Sequence, residues 1–353
     1  MDEKIKQKVV KSVTVTILTE SSVALSNDQG FGNYTPIKKC YMSDGPHAIT
    51  SVGTMTYEIR KQLGERGWNL SGIILNTNKK GKVTNIYPCI DNIECSEENG
   101  LETDVFGFLV PDKQLSKTSP LRIIPPKSVH IYKNDTQLIT NKGFLNKDFR
   151  RNYYTKENEK YPEDKFPQTQ ALASEEIFGD YYVYTITIEL DRLGVLEVKD
   201  GKYLAPDERI YMDKKLREKA LRDILDVIVN LTRTIKHQTV HLKPLAVFGG
   251  AFESVIPYFW NDIEMDKHNV LILDNVLETI ESYNLDKDNY IAVYSGRMNT
   301  GFRNAKIYDE ENKILEGYPA KLLRELGEKL FVGEDDKWYL KVGEGDTPND
   351  KDK

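Results

Sequence analysis

The chain has 353 residues, 39% hydrophobic and 29% charged, a balance that excludes a disordered chain, a collagen-like fibre and a membrane protein. Its 49 Lys+Arg against 55 Asp+Glu give a net charge of −6, which excludes a generic polycation but does not say where the charges lie. At about 150 residues per domain the length suggests two domains, enough to bury a core without disulfides or a structural metal.

The opening Met1-Asp2-Glu3-Lys4-Ile5-Lys6 leads into alternating apolar residues, so no secretory leader is expected. No apolar run reaches the ~18 residues of a membrane span, and no membrane partner is expected. Cys40, Cys89 and Cys95 are too few and scattered for a disulfide framework, which suits a reducing cytoplasm. Residues 9–19 alternate, with Val13, Val15 and Ile17 on one side and Ser12, Thr14 and Thr16 on the other, as in a half-buried strand. A polar loop over 21–44 follows, holding Gly30, Gly32, Asn33 and Pro36. Thr50 or Ser51 can cap a helix running to about Gly64, with Met55, Ile59 and Leu63 spaced four apart.

Residues 68–179 are long and irregular, with strand candidates at 73–75 and 105–110. Residues 181–190 alternate most clearly as a strand. The strongest helix spans 213–236, where Leu221, Ile224, Leu225, Ile228, Leu231 and Ile235 form one apolar stripe. Residues 245–248 read as a buried strand ending at Gly249-Gly250. Short strands at 270–273 and 290–294 and a helix near 320–331 complete the ordered part, and 346–353 reads as a disordered tail. The order predicts an α+β fold, a βαββαβ ferredoxin-like or RRM-like sandwich. The insertion before residue 181 is too long for a plain loop and predicts a projecting subdomain.

Charge is segregated. Residues 83–112 hold no Lys or Arg and seven acids, whereas 113–134 hold Lys113, Lys117, Arg122, Lys127 and Lys133 and no acid. Other acid-free windows carry Lys38 and Lys39 (29–43), Arg233, Lys236 and Lys243 with His237 and His241 (227–252), and Arg297, Arg303 and Lys306 (291–308). A solvated face explains any one window. Four of them, each with Gly or Asn beside the cations, point to an anion-binding track on an acidic body.

Signatures of a P-loop, a nucleophile elbow and a zinc helix are missing. His237 and His241 lack a nearby carboxylate or Cys and read as solvent-side residues of a helix end, and Cys89 and Cys95 lack a second pair at zinc spacing. Asp28 and Asp44 offer carboxylates for a divalent ion, although turn residues in a Gly-rich loop are the simpler explanation. The expectation is therefore no enzyme, no cofactor and no metal. The loop Gly30-Phe31-Gly32-Asn33-Tyr34-Thr35-Pro36-Ile37-Lys38-Lys39 combines close backbone approach, aromatic stacking and cations, which suits single-stranded RNA. Backbone N–H groups at the helix start by Ser51 attract phosphate.

Several segments occur in an order similar to one family. They are Ser26-Asn27-Asp28-Gln29-Gly30 through Lys39, Asp104-Val105-Phe106-Gly107, Thr118-Ser119-Pro120-Leu121-Arg122, Lys165-Phe166-Pro167-Gln168-Thr169-Gln170, and Glu189-Leu190-Asp191-Arg192-Leu193-Gly194-Val195. Together they resemble the backbone subunit of type I CRISPR Cascade complexes, in the DevR (type I-B) branch. The resemblance runs to about Gly250 and fades after Glu253. It implies an RRM-like palm over 1–67 and 181–340, a finger insertion over 68–140, a thumb-like β-hairpin over 141–180, and a disordered tail over 341–353. It implies further that copies stack head to tail along the spacer of a crRNA, beside other Cascade subunits, and that the guide pairs with target DNA. RNA contacts are then expected at Asn33, Lys38, Lys39, Ser51, Arg60, Lys127, Arg150, Arg151, Phe166, Lys243, Gly249, Gly250, Arg297 and Arg303. The helix at Ser51 departs from the family pattern: Thr54, Thr56 and Glu58 stand where early basic residues are usual. Two alternatives stay open, a metal-dependent ribonuclease built on Asp28 and a DNA-binding developmental regulator. The second lacks a helix-turn-helix pattern or a basic recognition helix.

Overall fold

The computed structural model describes residues 6–90, 100–140, 154, 156–160, 172–199, 202–235, 238–303 and 313–342. The main sheet has six strands: β1 (Ser12–Ser21), β2 (Leu121–Ser128), β3 (Asp180–Glu189), β4 (Ala246–Phe252), β5 (Tyr290–Ser295) and β6 (Leu315–Gly317). Their spatial order is β2-β3-β1-β4-β5-β6, antiparallel throughout except for the parallel β5–β6 pair. Among the described residues five α-helices accompany it: α1 (Val52–Glu65), α2 (Leu101–Phe106), α3 (Lys214–Val229), α4 (Asp274–Ser282) and α5 (Pro319–Lys329). In the chain α1 and then α2 lie between β1 and β2, and α3 lies between β3 and β4. Strand Lys6–Val10 pairs with Trp338–Val342 in a separate small sheet.

The core lies on both sides of the main sheet. Val13, Val15 and Ile17 of β1 pack with Met55, Ile59 and Leu63 of α1 and with Leu221, Ile224, Leu225 and Ile228 of α3. Leu18, Ala246 and Phe248 pack with Phe259, Leu271 and the α4 residues Val276, Leu277 and Ile280. Strand β1 is therefore not half-buried: Ser12, Thr14 and Thr16 are as enclosed as their apolar neighbours. The hydroxyls tolerate this because Thr14 donates to Thr187 at 3.1 Å and Thr16 meets Thr185 at 2.8 Å across the strands.

Ser51 caps α1, its Oγ accepting from Thr54 N at 3.1 Å. Helix α3 begins at its Asp213 cap but stops at Val229, short of the expected 236. Asn230 turns its side-chain amide back to the Asp226 carbonyl, and the β-branched run beyond it forms a hairpin, Thr232–Ile235 with Gln238–His241. His241 thus sits on a strand rather than a helix end, and His237 lies outside the described residues. Residues 101–106 form a helix where a strand over 105–110 was expected; only Phe108–Val110 is extended. Glu102 and Asp104 favour the helix N-terminus, and Gly107 ends it at φ 70°.

Gly249 and Gly250 lie inside β4 rather than at its end. A Cβ on Gly249 would meet Thr14 O at 2.1 Å, and one on Gly250 would meet Asn289 O at 1.9 Å. Neighbouring backbones pass too close for any side chain. Both residues are buried.

Candidate nucleic-acid interface

Strand directions decide what comes together. Since β1, β2 and β5 run one way and β3 and β4 the other, the ends of the first three and the starts of the last two share one end of the sheet. That end receives the loop after β1, the capped start of α1, Lys127 and the segment beyond it, Asp180, Lys243 and Arg297.

The Gly-rich loop is a hairpin. Asp28 N donates to Pro36 O at 2.9 Å and Lys38 N to Ser26 O at 3.1 Å, while Phe31 and Tyr34 exchange backbone bonds around Gly32, whose φ is 62°. Phe31 and, beyond the loop, Tyr41 stand exposed at 71% and 83%. The segment between β2 and β3 leaves the sheet as an arm, with Thr136–Thr140 paired antiparallel to Leu172–Glu176 over five residues. The loop docks on this stem: Tyr34–Thr35 joins Ser174 and Glu175 in parallel, and Asn33 donates through Nδ2 to Leu172 O at 3.0 Å.

One carboxylate ties the two together. Glu176 is 8% exposed and accepts from the Tyr34 hydroxyl, from Ile37 N at 2.7 Å and from Lys39 Nζ. Burial opposes its charge, but the bonds from Lys39, Tyr34 and Ile37 N outweigh it and hold the carboxyl below its usual range. Lys39 also lies 4.5 Å from the Tyr132 ring centroid, so it fastens loop to arm.

Beside the arm root is a cleft of about 860 Å³, lined in part by His47, Lys127, His130, Lys133, Glu264 and Lys267. The Asp44, Asp180 and Glu264 carboxylates on its wall each have a cation or histidine partner, namely His47, His130 and Arg303. Lys127, Lys133 and Lys267 have no carboxylate partner among the described residues; Lys127 rests over Trp260 at 5.5 Å. Asp44 and Asp266 feel the charges of Lys127 and Lys267, but none of the three lysines closes a salt bridge among the described residues, so each can still meet an anion. Ser51 stands nearby, since Thr50 N donates to Pro126 O at 2.9 Å and Ile49 bridges to Lys127.

His130 locks the arm root, with Nδ1 2.7 Å from Asp180, its backbone N donating to the same carboxylate at 2.8 Å, and Nε2 3.2 Å from Asp266 O. Burial depresses its pKa, but Asp180 and the Asp266 carbonyl outweigh that and raise it above the ordinary histidine value. The sign follows: a raised folded-state pKa gives stability fully present below about pH 6.5 and lost as pH rises through the folded value. An NMR titration of His130 is expected to show a midpoint above 6.5 that Asp180→Asn lowers; a midpoint at or below 6.5 in the unmodified chain contradicts the pairing.

The other expected site residues scatter. Arg60 pairs with Glu102 at 3.0 Å and lies 4.4 Å from the Phe106 ring centroid, joining α1 to α2. Arg303 is taken by Glu264. Lys38 is half-buried, and Lys243 and Arg297 are exposed on the shared end. Arg150, Arg151 and Phe166 lie outside the described residues. Asp28 is exposed and accepts from Gln29 N at 2.8 Å. Among the described residues no three His, Cys, Asp or Glu side chains gather around a common point for a metal, and no helix is long and apolar enough to cross a membrane. Glu176, His130 and Lys267 escaped the sequence reading: Glu176 bonds to residues 137 to 142 positions away, His130 to Asp180 at 50 and Asp266 at 136, and only the fold brings Lys267 to the cleft.

The fold is one found in a chain of a solved "CRISPR RNA-guided surveillance complex, pre-nicking", at a TM-score of 0.52 and 12% identity, covering 90% of this chain and 99% of that one. A chain of a "CRISPR RNA-guided surveillance complex" aligns at TM-score 0.45 and 13% identity over 90% of this chain and 98% of its own. No curated protein matches. The family model "CRISPR-associated negative auto-regulator DevR/Csa2" matches residues 69–267, more than half of the sequence, and the chain belongs to that family.

Proposed function

We propose that this chain is a crRNA-binding structural subunit of a type I Cascade effector complex, of the I-B branch, working without catalysis in the cytoplasm. Its main sheet with α1 and α3 serves as an RRM-like palm, the region after α1 as the finger and the paired arm as the thumb. Copies assemble head to tail along the spacer, which stays available to pair with target DNA, and the ends of the row meet other Cascade subunits. The observation that carries this reading is the shared end of the sheet, where an arm, a docked Gly-rich loop and a cleft with uncompensated lysines adjoin. Such a surface grips backbone and leaves base edges free. The buried Thr14, Thr16, Thr185 and Thr187 argue against base stacking on the sheet face itself.

The working cations in this reading are Lys38, Lys127, Lys133, Lys267, Lys243 and Arg297, because Lys39, Arg60 and Arg303 are held by Glu176, Glu102 and Glu264. Reversing Lys127 and Lys133 to Glu is expected to weaken every guide sequence alike and to flatten the salt dependence by about 0.7 per lost phosphate contact. The deciding experiment is assembly on guide RNAs of increasing spacer length, viewed by electron microscopy. Particle length should track spacer length; a fixed size indifferent to the RNA overturns the proposal.

A further inference from the structure

At the far end of the sheet the chain between α1 and β2 raises a two-stranded ribbon, Ile73–Thr77 paired with Val83–Pro88. Its base is fixed: Cys89 N donates to Gly72 O at 2.7 Å, and Asn76 and Tyr87 both donate to the Asp112 carboxylate. Its tip is preformed as well. Asn78 Oδ1 accepts from Lys80 N at 2.9 Å and Lys82 N at 3.1 Å, and Gly81 takes φ 74° to close the turn.

That tip carries Lys79, Lys80 and Lys82, all exposed and without a carboxylate partner among the described residues. The sequence from 66 to 90 contains no acid, so the ribbon itself supplies no counter-charge, and the Asp112 carboxylate beside it is taken by Asn76 and Tyr87. Folding gains nothing from such a cluster, because like charges brought close repel. Around it stand Thr77 and Asn85, uncharged groups that suit a phosphodiester backbone better than a base edge. None of the ribbon's residues lines the cleft at the other end.

We propose that the ribbon tip is a second, sequence-independent binding site for nucleic-acid phosphates, separate from the arm-root cleft. The same chemistry is available from a flank of the bound RNA and from duplex DNA. The two sources are separable because a phosphate neutralised on duplex DNA contributes about 0.9 to the salt slope and one on a single strand about 0.7.

The test uses the full chain with Lys79, Lys80 and Lys82 all changed to Gln, and a second variant with all three changed to Arg. Binding to a fluorescent DNA duplex and to guide RNA is measured across a salt series. If duplex DNA is the ligand, the Gln variant loses duplex affinity and up to about 2.7 of salt slope per bound copy while guide binding stays unchanged. If the RNA flank is the ligand, the loss falls on guide binding instead. The Arg variant keeps wild-type affinity in either case. No change in either ligand, or an equal loss in the Arg variant, overturns the site. The inference rests on the nucleic-acid reading above, yet the two fail differently: wild-type chain that holds no guide RNA defeats that reading, whereas the ribbon is judged on the difference between variant and wild type.

Discussion

Asp104→Ala is expected to cost about 3–5 kcal/mol of folding stability, because it leaves a buried ammonium without its counter-charge. Asp104 and Lys117 are both nearly inaccessible to solvent and form an ion pair. The second Asp104 oxygen accepts from Gly194 N at 2.7 Å, and Lys117 also donates to Val195 O at 2.7 Å and Arg192 O at 3.3 Å. This cluster joins α2, strand Leu115–Lys117 and the turn after β3. Space is as tight as charge: a Cβ at Gly107 would sit 2.4 Å from Lys117 O, and one at Gly194 2.5 Å from Arg217 Cγ. The double change Asp104→Leu with Lys117→Met should recover most of the loss, since neither charge then remains to be desolvated. Urea unfolding of the three chains reads this directly as shifts in midpoint at constant slope. A single-variant loss near the level of a surface pair, below about 1 kcal/mol, rules the account out.

Several elements of the main sheet and its helices were legible because they carry periodic signals. Helix α1 shows Met55, Ile59 and Leu63 four apart behind a Ser51 cap, and β3 alternates from Tyr184 to Glu189. Helix α2 was misread because Val105-Phe106-Gly107-Phe108-Leu109-Val110 is an apolar run without a period, and such runs look alike in helix and strand. The acids of its first turn and Gly107 at its end were the signals that separate the two. The interface was only partly legible, for an electrostatic reason. A charge window counts neighbours along the chain, while neutralisation happens in space. Lys117, Arg122 and Arg233 stood in acid-free windows, yet Asp104, Glu189 and Glu58 reach them from elsewhere. Lys127 and Lys133 of the same stretch meet no such carboxylate among the described residues. Cations predicted from a window therefore divide into fastenings and free charges, and only packing separates them.

Replacing residues 141–171 by a short Gly/Ser linker is expected to leave a folded palm that no longer builds ordered particles on guide RNA. The removed segment contains Arg150, Arg151 and Phe166, and the retained stem, Thr136–Thr140 with Leu172–Glu176, keeps its pairing and its Glu176 bonds to the loop. Neither main core cluster draws a residue from that stem, and Leu138 and Leu172 are 64% and 48% exposed. Shortening the connection changes loop-closure entropy only slowly, by about 0.6 kcal/mol for each halving of length. Circular dichroism should therefore show an unchanged spectrum and a melting temperature within a few degrees of the parent chain. Assembly is different, because displacing a base from a stacked strand costs a few kcal/mol, which only contacts from a projecting arm can offset. An arm with exposed apolar side chains along its stem needs a partner surface, which the next copy would supply in the proposed head-to-tail row. Electron microscopy of the deletion on guide RNA should then show single copies or irregular clusters. Regular particles with bases displaced at even intervals would remove this segment from the role of thumb, and the free lysines of the cleft would be left to organise the RNA by backbone contact alone.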